Sequence, residues 1–192
     1  MRRRSRTVAL VILGAASFAL AGCREEEVEA QAFPDVESCR AAASNGGLFS
    51  VEECDKSFAE AQQLHVESAP RYDSVAACEA EHGAGGCGSE SEVTGGSGMG
   101  GIFMPLLTGY LIGSMLSGRG VASAQPLYRT ADGKFTNAAR TSTYSSNTGS
   151  ARLGTSTFAR PPSTIGKPPM SVASPASRGG FGSTGASRGF GG

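Results

Sequence analysis

The chain has 192 residues, including 28 glycines and no tryptophan, and only 7% of its residues are aromatic. Its formal net charge of +0 combines three unlike segments, with +4 over residues 1–22, −12 over residues 23–92 and +8 over residues 93–192. This composition argues against a large compact enzyme domain.

The amino terminus has the features of an export signal. Four arginines within the first six residues precede an apolar run at 7–21, which is shorter than the roughly 20 residues of a membrane-spanning helix. The last two residues of the run and the two that follow it read LAGC, at residues 20–23, which resembles the lipobox of bacterial lipoproteins. The resemblance implies cleavage before Cys23 and lipidation of its thiol, and Arg24 favours the outer membrane, facing the periplasm. A plain signal peptide with an incidental cysteine, or an uncleaved anchor helix, is the alternative.

Export also suggests the state of the remaining cysteines. Cys39, Cys54, Cys78 and Cys87 form an even set in a short exported segment, which is typical of two disulfides. Three pairings are open, and chain order favours Cys39 with Cys54 and Cys78 with Cys87.

After an acidic, solvated spacer at 23–32, the pattern predicts a small helical module at 33–88. An aromatic residue, a valine and a cysteine recur at spacings of three, and this spacing predicts two short helices that each carry all three residues on one face. The two triplets are Phe33, Val36 and Cys39, and Tyr72, Val75 and Cys78.

Capping signals set the ends of the predicted helices. Asp35 is a candidate N-cap of the first, and Asp73 or Ser74 of the last, which is expected to end near His82 with Gly83 as its C-cap.

A longer helix is predicted between the two copies. Ser50 and Glu53 form a capping box, and this helix should end before Pro70. Its apolar face would carry Val51, Cys54, Phe58, Ala61 and His65, with Leu64 beside it.

We expect neither a metal site nor a catalytic site. Cysteine and histidine could be combined around Cys78, His82 and Cys87, but the spacing matches no standard zinc pattern. His82 is explained as a cation at a helix C-terminus, and His65 as a partly buried residue on the apolar face. Glycine-rich matches to nucleophile and dinucleotide motifs, at 185–189 and 96–101, lack the flanking strands and helices they require.

A glycine and serine linker at 89–101 leads to an apolar segment at 102–117. Its core, residues 102–116, includes Pro105 and is too short for a typical membrane span, so packing against the helical module, self-association and a true span all remain open. Gly109 and Gly113 would let two helices approach closely if the segment lay in lipid.

Residues 118–192 predict a basic, disordered tail. Glycine, serine, threonine, alanine and proline dominate, and such a chain buries too little apolar surface to offset the entropy of ordering. Export makes nucleic acid an improbable partner, whereas anionic envelope polymers or the acidic module itself suit the positive charge.

Three blocks in this order resemble the YgiB-like family of uncharacterised bacterial lipoproteins. They are FMPLLTGY at 103–110, QPLY at 125–128 and RGGFG at 178–182, which follow the lipobox and the paired cysteines. The family has no agreed activity, so the resemblance implies envelope localisation and architecture and transfers no catalytic residue.

The sequence therefore predicts a mainly α, disulfide-stabilised helical module, then an apolar segment and a long disordered tail. We expect a lipid-anchored, non-catalytic envelope protein without a cofactor, bound to the membrane and to envelope polymers or another envelope protein. The alternative is an oligomeric or pore-like protein that acts through residues 102–116, and homo-oligomers are left open.

Overall fold

The computed structural model describes residues 26–96, 100–114 and 123–171. The predicted export signal, the predicted lipidation site at Cys23, and the tail from 172 onward, including the RGGFG block, lie outside the described residues.

Four helices lie in the described part of the chain, and their ends follow the capping signals. They are α1 (Val36–Ser44), α2 (Val51–Ser68), α3 (Val75–His82) and α4 (Glu90–Thr94). Asp35 accepts a hydrogen bond from the backbone N–H of Ser38, and Ser50 and Glu53 form the predicted capping box. Ser74 caps α3, which ends at Gly83 with a φ of 83°. The predictions for these ends are confirmed.

The described residues form eight strands in two sheets. The strands are β1 (Glu27–Phe33), β2 (Cys87–Ser89), β3 (Phe103–Pro105), β4 (Gly109–Gly113), β5 (Ser123–Arg129), β6 (Phe135–Asn137), β7 (Thr143–Tyr144) and β8 (Gly149–Gly154). Six of them form an antiparallel sheet in the order β7-β6-β5-β4-β1-β8, and β2 pairs with β3.

The predicted mainly α fold is wrong. Of the described residues, 33% are helical and 28% lie in strands, and the six-stranded sheet curls into a half-barrel. The expected disorder of the whole segment 118–192 is also wrong, since residues 123–171 contain β5 to β8 and a 3₁₀ turn at Thr155–Phe158. The predicted spacer at 23–32 contains most of β1, and the predicted linker at 89–101 contains α4.

Pairing between distant segments explains the order of the glycine-rich half. β5 pairs with β4, and β8 pairs with β1, so strands that precede this segment in the chain complete its backbone hydrogen bonds. Leu127 and Tyr128 of β5 are fully buried. Local composition does not reveal such long-range partners, which supply the burial that the segment lacks alone.

The repeated aromatic residues do not lie on the helices that their spacing predicted. Phe33 ends β1, and Tyr72 forms isolated bridges to Phe103 and Met170. In each copy the N-cap residue separates the aromatic from the helix. The repeat therefore consists of an aromatic in β structure, then a cap, then a helix that carries a cysteine.

The sheet has apolar side chains on both faces. In β4, Tyr110 and Ile112 pack with α1 and α2 in one cluster, while Leu111 packs on the opposite face with Leu127 and Phe158. Alternate residues of a strand point to opposite faces, so the continuous apolar run of β4 is what a central strand covered on both sides requires. No helix within the described ranges is long and apolar enough to cross a membrane.

Candidate functional site

All four cysteines of the described residues are joined in two disulfides. Cys39 of α1 is bonded to Cys54 of α2, and Cys78 of α3 to Cys87 of β2, with Cα separations of 5.7 and 6.2 Å. This is the pairing that chain order favours. In the part of the chain that the structure describes, no free thiol is therefore available as a nucleophile or metal ligand.

His82 lies in a buried hydrogen-bonded network and is not an exposed helix-end cation. Its Nδ1 lies 2.8 Å from the carbonyl oxygen of Arg129 and so donates to it, while its Nε2 lies 3.0 Å from the Tyr72 hydroxyl. The same hydroxyl lies 2.9 Å from the carboxylate of Glu81, which also accepts from Arg140. The hydroxyl proton of Tyr72 thus has two acceptors, His82 and Glu81.

Burial governs the charge of His82. The side chain is 2% exposed, and burial lowers its pKa, with the carbonyl of Arg129 and the carboxylate of Glu81 opposing the shift and Arg140 adding to it. When neutral, Nε2 accepts from the Tyr72 hydroxyl. When protonated, Nε2 donates to that hydroxyl, which then donates to Glu81, so the network stays satisfied in both states.

His65 is also buried, although the sequence predicted only partial burial. It is 4% exposed, and its Nδ1 lies 3.0 Å from the Tyr128 hydroxyl. Its Nε2 is buried without a hydrogen-bond partner among the described residues. Burial, with a contribution from the charge of Arg71, lowers the pKa of His65 to about 4. The ring is therefore neutral at neutral pH.

The two histidines belong to one cluster of four rings in tilted and edge-to-face contact. The centroid of the Tyr128 ring lies 5.5 Å from that of His65 and 6.1 Å from that of His82, and Tyr72 lies 5.7 Å from His82 on the far side. These four residues are at most 4% exposed, so a substrate cannot reach the ring nitrogens. General acid–base catalysis requires such access. The geometry instead suits a polar core that fixes the position of α2 and α3 against β5.

No group of three potential metal ligands is brought together within residues 26–96, 100–114 and 123–171. The combination of His82 with Cys78 and Cys87 is absent, because both cysteines are in a disulfide and His82 is bonded to Tyr72 and Arg129.

Gly109 and Gly113 lie at the two ends of β4, not on a helix. β4 is hydrogen-bonded to β1 on one side and to β5 on the other. A Cβ at Gly113 would lie 2.6 Å from the ring of Phe158, and one at Gly109 would lie 2.9 Å from the carbonyl oxygen of Phe33. Close packing within the fold thus explains both glycines. Their position in a strand gives no support to the hypothesis that they let two helices associate.

The acidic and basic segments of the sequence contact each other in the fold. Among the described residues, three ion pairs join them: Glu27 with Arg152, Glu67 with Arg160, and Glu81 with Arg140. In each pair at least one side chain is more than 40% exposed, so each contributes little stability by itself. Together they bring opposite charges from distant parts of the chain into contact.

Sequence reasoning missed the two tyrosines that hold the histidines. The triplet spacing predicts that Tyr72 lies on one face of a helix, and the sequence distinguishes Tyr128 only as part of the QPLY block. A general signal was present, since the hydroxyl of a buried tyrosine usually has a hydrogen-bond partner. Its partner could not be inferred because the contacts join residues 63 and 10 positions apart.

Comparisons with known proteins give a family but no activity. A family model described as "Protein of unknown function (DUF1190)" matches residues 27–191. A UPF0441 protein of Erwinia tasmaniensis is 31% identical over 191 residues, covering 92% of this chain and 79% of that protein. A UPF0441 protein of Sodalis glossinidius is 35% identical over 132 residues, covering 65% of this chain and 56% of that protein. No solved structure matches.

Proposed function

Since the chain belongs to the DUF1190 family of proteins of unknown function, as its resemblance to the YgiB-like proteins predicted, we propose its function from its own features. The protein is a lipid-anchored component of the bacterial cell envelope, on the outer membrane and facing the periplasm. Its role is structural or interactive and not catalytic.

The LAGC sequence at residues 20–23 is the observation that carries this proposal. It directly follows an apolar run behind four arginines, which is the arrangement from which a cysteine is lipidated. Two or three acyl chains anchor a protein stably, since each buried methylene contributes roughly 0.8 kcal/mol. The two disulfides support export, because disulfides persist in oxidising compartments.

The short distance between Cys23 and the sheet suggests how the protein sits. β1 begins at Glu27, four residues after Cys23. Four extended residues span at most about 14 Å. An anchored protein would therefore hold the start of β1 close to the lipid surface, with no long tether to reach across the periplasm.

Two features support a non-catalytic role. The histidines that could act as general acids or bases are buried in the cluster of four rings, and the described cysteines are disulfide-bonded.

The opposite charges of the acidic and basic segments suit a role in binding. The ion pairs between Arg140 and Glu81 and between Arg160 and Glu67 use part of these charges within the fold. The remaining charge is available for envelope polymers or another envelope protein.

Metabolic labelling with a palmitate analogue tests the anchor. The wild-type protein and the Gly22→Ala control, which keeps a small residue before the cleavage site, should be labelled and sediment with membranes. Cys23→Ser should lose the label and leave the membrane fraction. An unlabelled wild type, or a label that persists in Cys23→Ser, would remove the proposal.

A further inference from the structure

The half-barrel leaves a cleft between its two edges. β7 and β8 are the terminal strands of the sheet, and the four residues 145–148 connect them. The cleft between these strands has a volume of about 320 Å³. That volume lies within the range of about 300–1,000 Å³ typical of small-molecule sites.

Small apolar side chains form the floor of the cleft. Ala30 and Ala32 of β1 and Leu111 of β4 line it, and all three are at most 6% exposed. The half-buried ring of Tyr144 lines the side formed by β7. Because the alanines are small, they leave depth in the sheet that larger residues would fill.

Hydroxyl groups surround this floor. Thr143, Ser145, Ser146, Thr148 and Ser150 line the cleft, and none of the described lining residues is charged. Ser146 and Thr148 bond to each other at 2.9 Å, whereas Ser145 makes no side-chain hydrogen bond to the described residues. Exposed hydroxyls next to an apolar floor suit a ligand that presents both hydroxyl groups and C–H surfaces.

The rim is held in place before any ligand binds. Asn147 donates from Nδ2 to the carbonyl oxygen of Thr108 at 2.6 Å, and its Cβ lies 3.2 Å from the position that a Cβ on Gly109 would take. The backbone N–H of Thr148 donates to the Ser146 hydroxyl at 3.1 Å. A fixed rim reduces the entropy that binding would cost.

We propose that this cleft binds an uncharged segment of a saccharide chain. The apolar floor and the ring of Tyr144 would cover the C–H face of a sugar, and the exposed hydroxyls of Ser145, Ser146 and Thr148, in the segment that joins β7 to β8, would bond to its hydroxyl groups. The absence of charge among the described lining residues disfavours an anionic ligand, and the hydroxyl rim disfavours an acyl chain. The inference deepens the proposed envelope role, on which it rests only for the source of the saccharide.

Saturation-transfer NMR on the full-length mature protein, purified in a detergent without sugar groups, tests the proposal. The probes are maltotetraose and the tetramer of N-acetylglucosamine as neutral saccharides, tetragalacturonate as the anionic comparison, and decanoate as the acyl-chain comparison. We expect transfer to the C–H protons of at least one neutral tetrasaccharide and at least tenfold weaker binding of the other two probes.

One strand provides a matched pair of variants. Ala151 lines the cleft from β8, and Arg152 is the next residue on the opposite face of the same exposed strand. Ala151→Phe should reduce neutral saccharide binding at least tenfold because the ring fills the cleft, whereas Arg152→Phe should leave it unchanged. Amide spectra of both variants check that the fold is kept.

Three results would overturn the saccharide site. They are no transfer to either neutral tetrasaccharide, transfer that survives in Ala151→Phe with an intact fold, and preferential binding of decanoate or tetragalacturonate. None of them would alter the labelling of Cys23, so failure of the saccharide site is distinguishable from failure of the lipid anchor.

Discussion

The buried imidazole of His65 makes the stability of the fold depend on pH. Its pKa is lowered from 6.5 to about 4, because the ring is buried and because Arg71 lies near. A group whose pKa is lowered on folding contributes stability above its unfolded pKa and loses it as the pH falls. We therefore expect His65 to favour the folded state fully above about pH 6.5, and to lose this contribution between there and pH 4.

The size of the effect follows from the shift. A shift of one pKa unit corresponds to about 1.36 kcal/mol, so His65 should cost the fold about 3 kcal/mol between pH 7 and pH 4. Protonation also places an N–H at Nε2, which has no acceptor among the described residues. This loss would be a large fraction of the stability of a small protein.

Urea unfolding at half-unit steps from pH 4 to 7.5, monitored by circular dichroism, measures the effect. His65→Asn is the comparison, because its amide occupies the position of Nδ1 beside Tyr128 and does not titrate. The wild type should lose about 3 kcal/mol more than the variant on acidification. Changes at His82 and at the carboxylates affect both proteins and cancel. Parallel curves for the two proteins would refute the reasoning.

Two further predictions concern the stability of the fold. Replacing both Cys39 and Cys54 with alanine opens a loop of 15 residues and should lower the free energy of unfolding by about 3 kcal/mol, seen as a lower urea midpoint; an unchanged midpoint would contradict the stabilising role. Gly113→Ala should destabilise by about 1–3 kcal/mol through contact with the ring of Phe158. Gly100→Ala, which meets no atom within 4 Å, should not alter the melting temperature, and equal effects at both glycines would argue against the contact.

Local signals were sufficient for α1, α2 and α3, but not for the short α4. The capping box of Ser50 and Glu53 and the C-cap at Gly83 act within a few residues of chain, so the sequence alone places the ends of α2 and α3. β1 could have been found in the same way. Its seven residues, EVEAQAF, alternate polar and apolar until the final phenylalanine, which is a strand pattern, but the run of acidic residues led to a solvated spacer.

Long-range pairing could not be derived from the sequence. β5 and β8 lie in a segment whose glycine, serine and threonine content predicts disorder, and they are ordered because β4 and β1 pair with them. The cluster of four rings depends on the same pairing, since β5 brings Tyr128 to His65. The cleft between β7 and β8 exists only once the sheet has curled, so no local sequence pattern predicts it.

The mass of the amino-terminal peptide of the protein purified from membranes tests the central claim most directly. The account predicts a mature chain that begins at Cys23 and carries acyl groups on its sulfur and on its amino group. A chain that begins elsewhere, or one that begins at an unmodified Cys23, would contradict it.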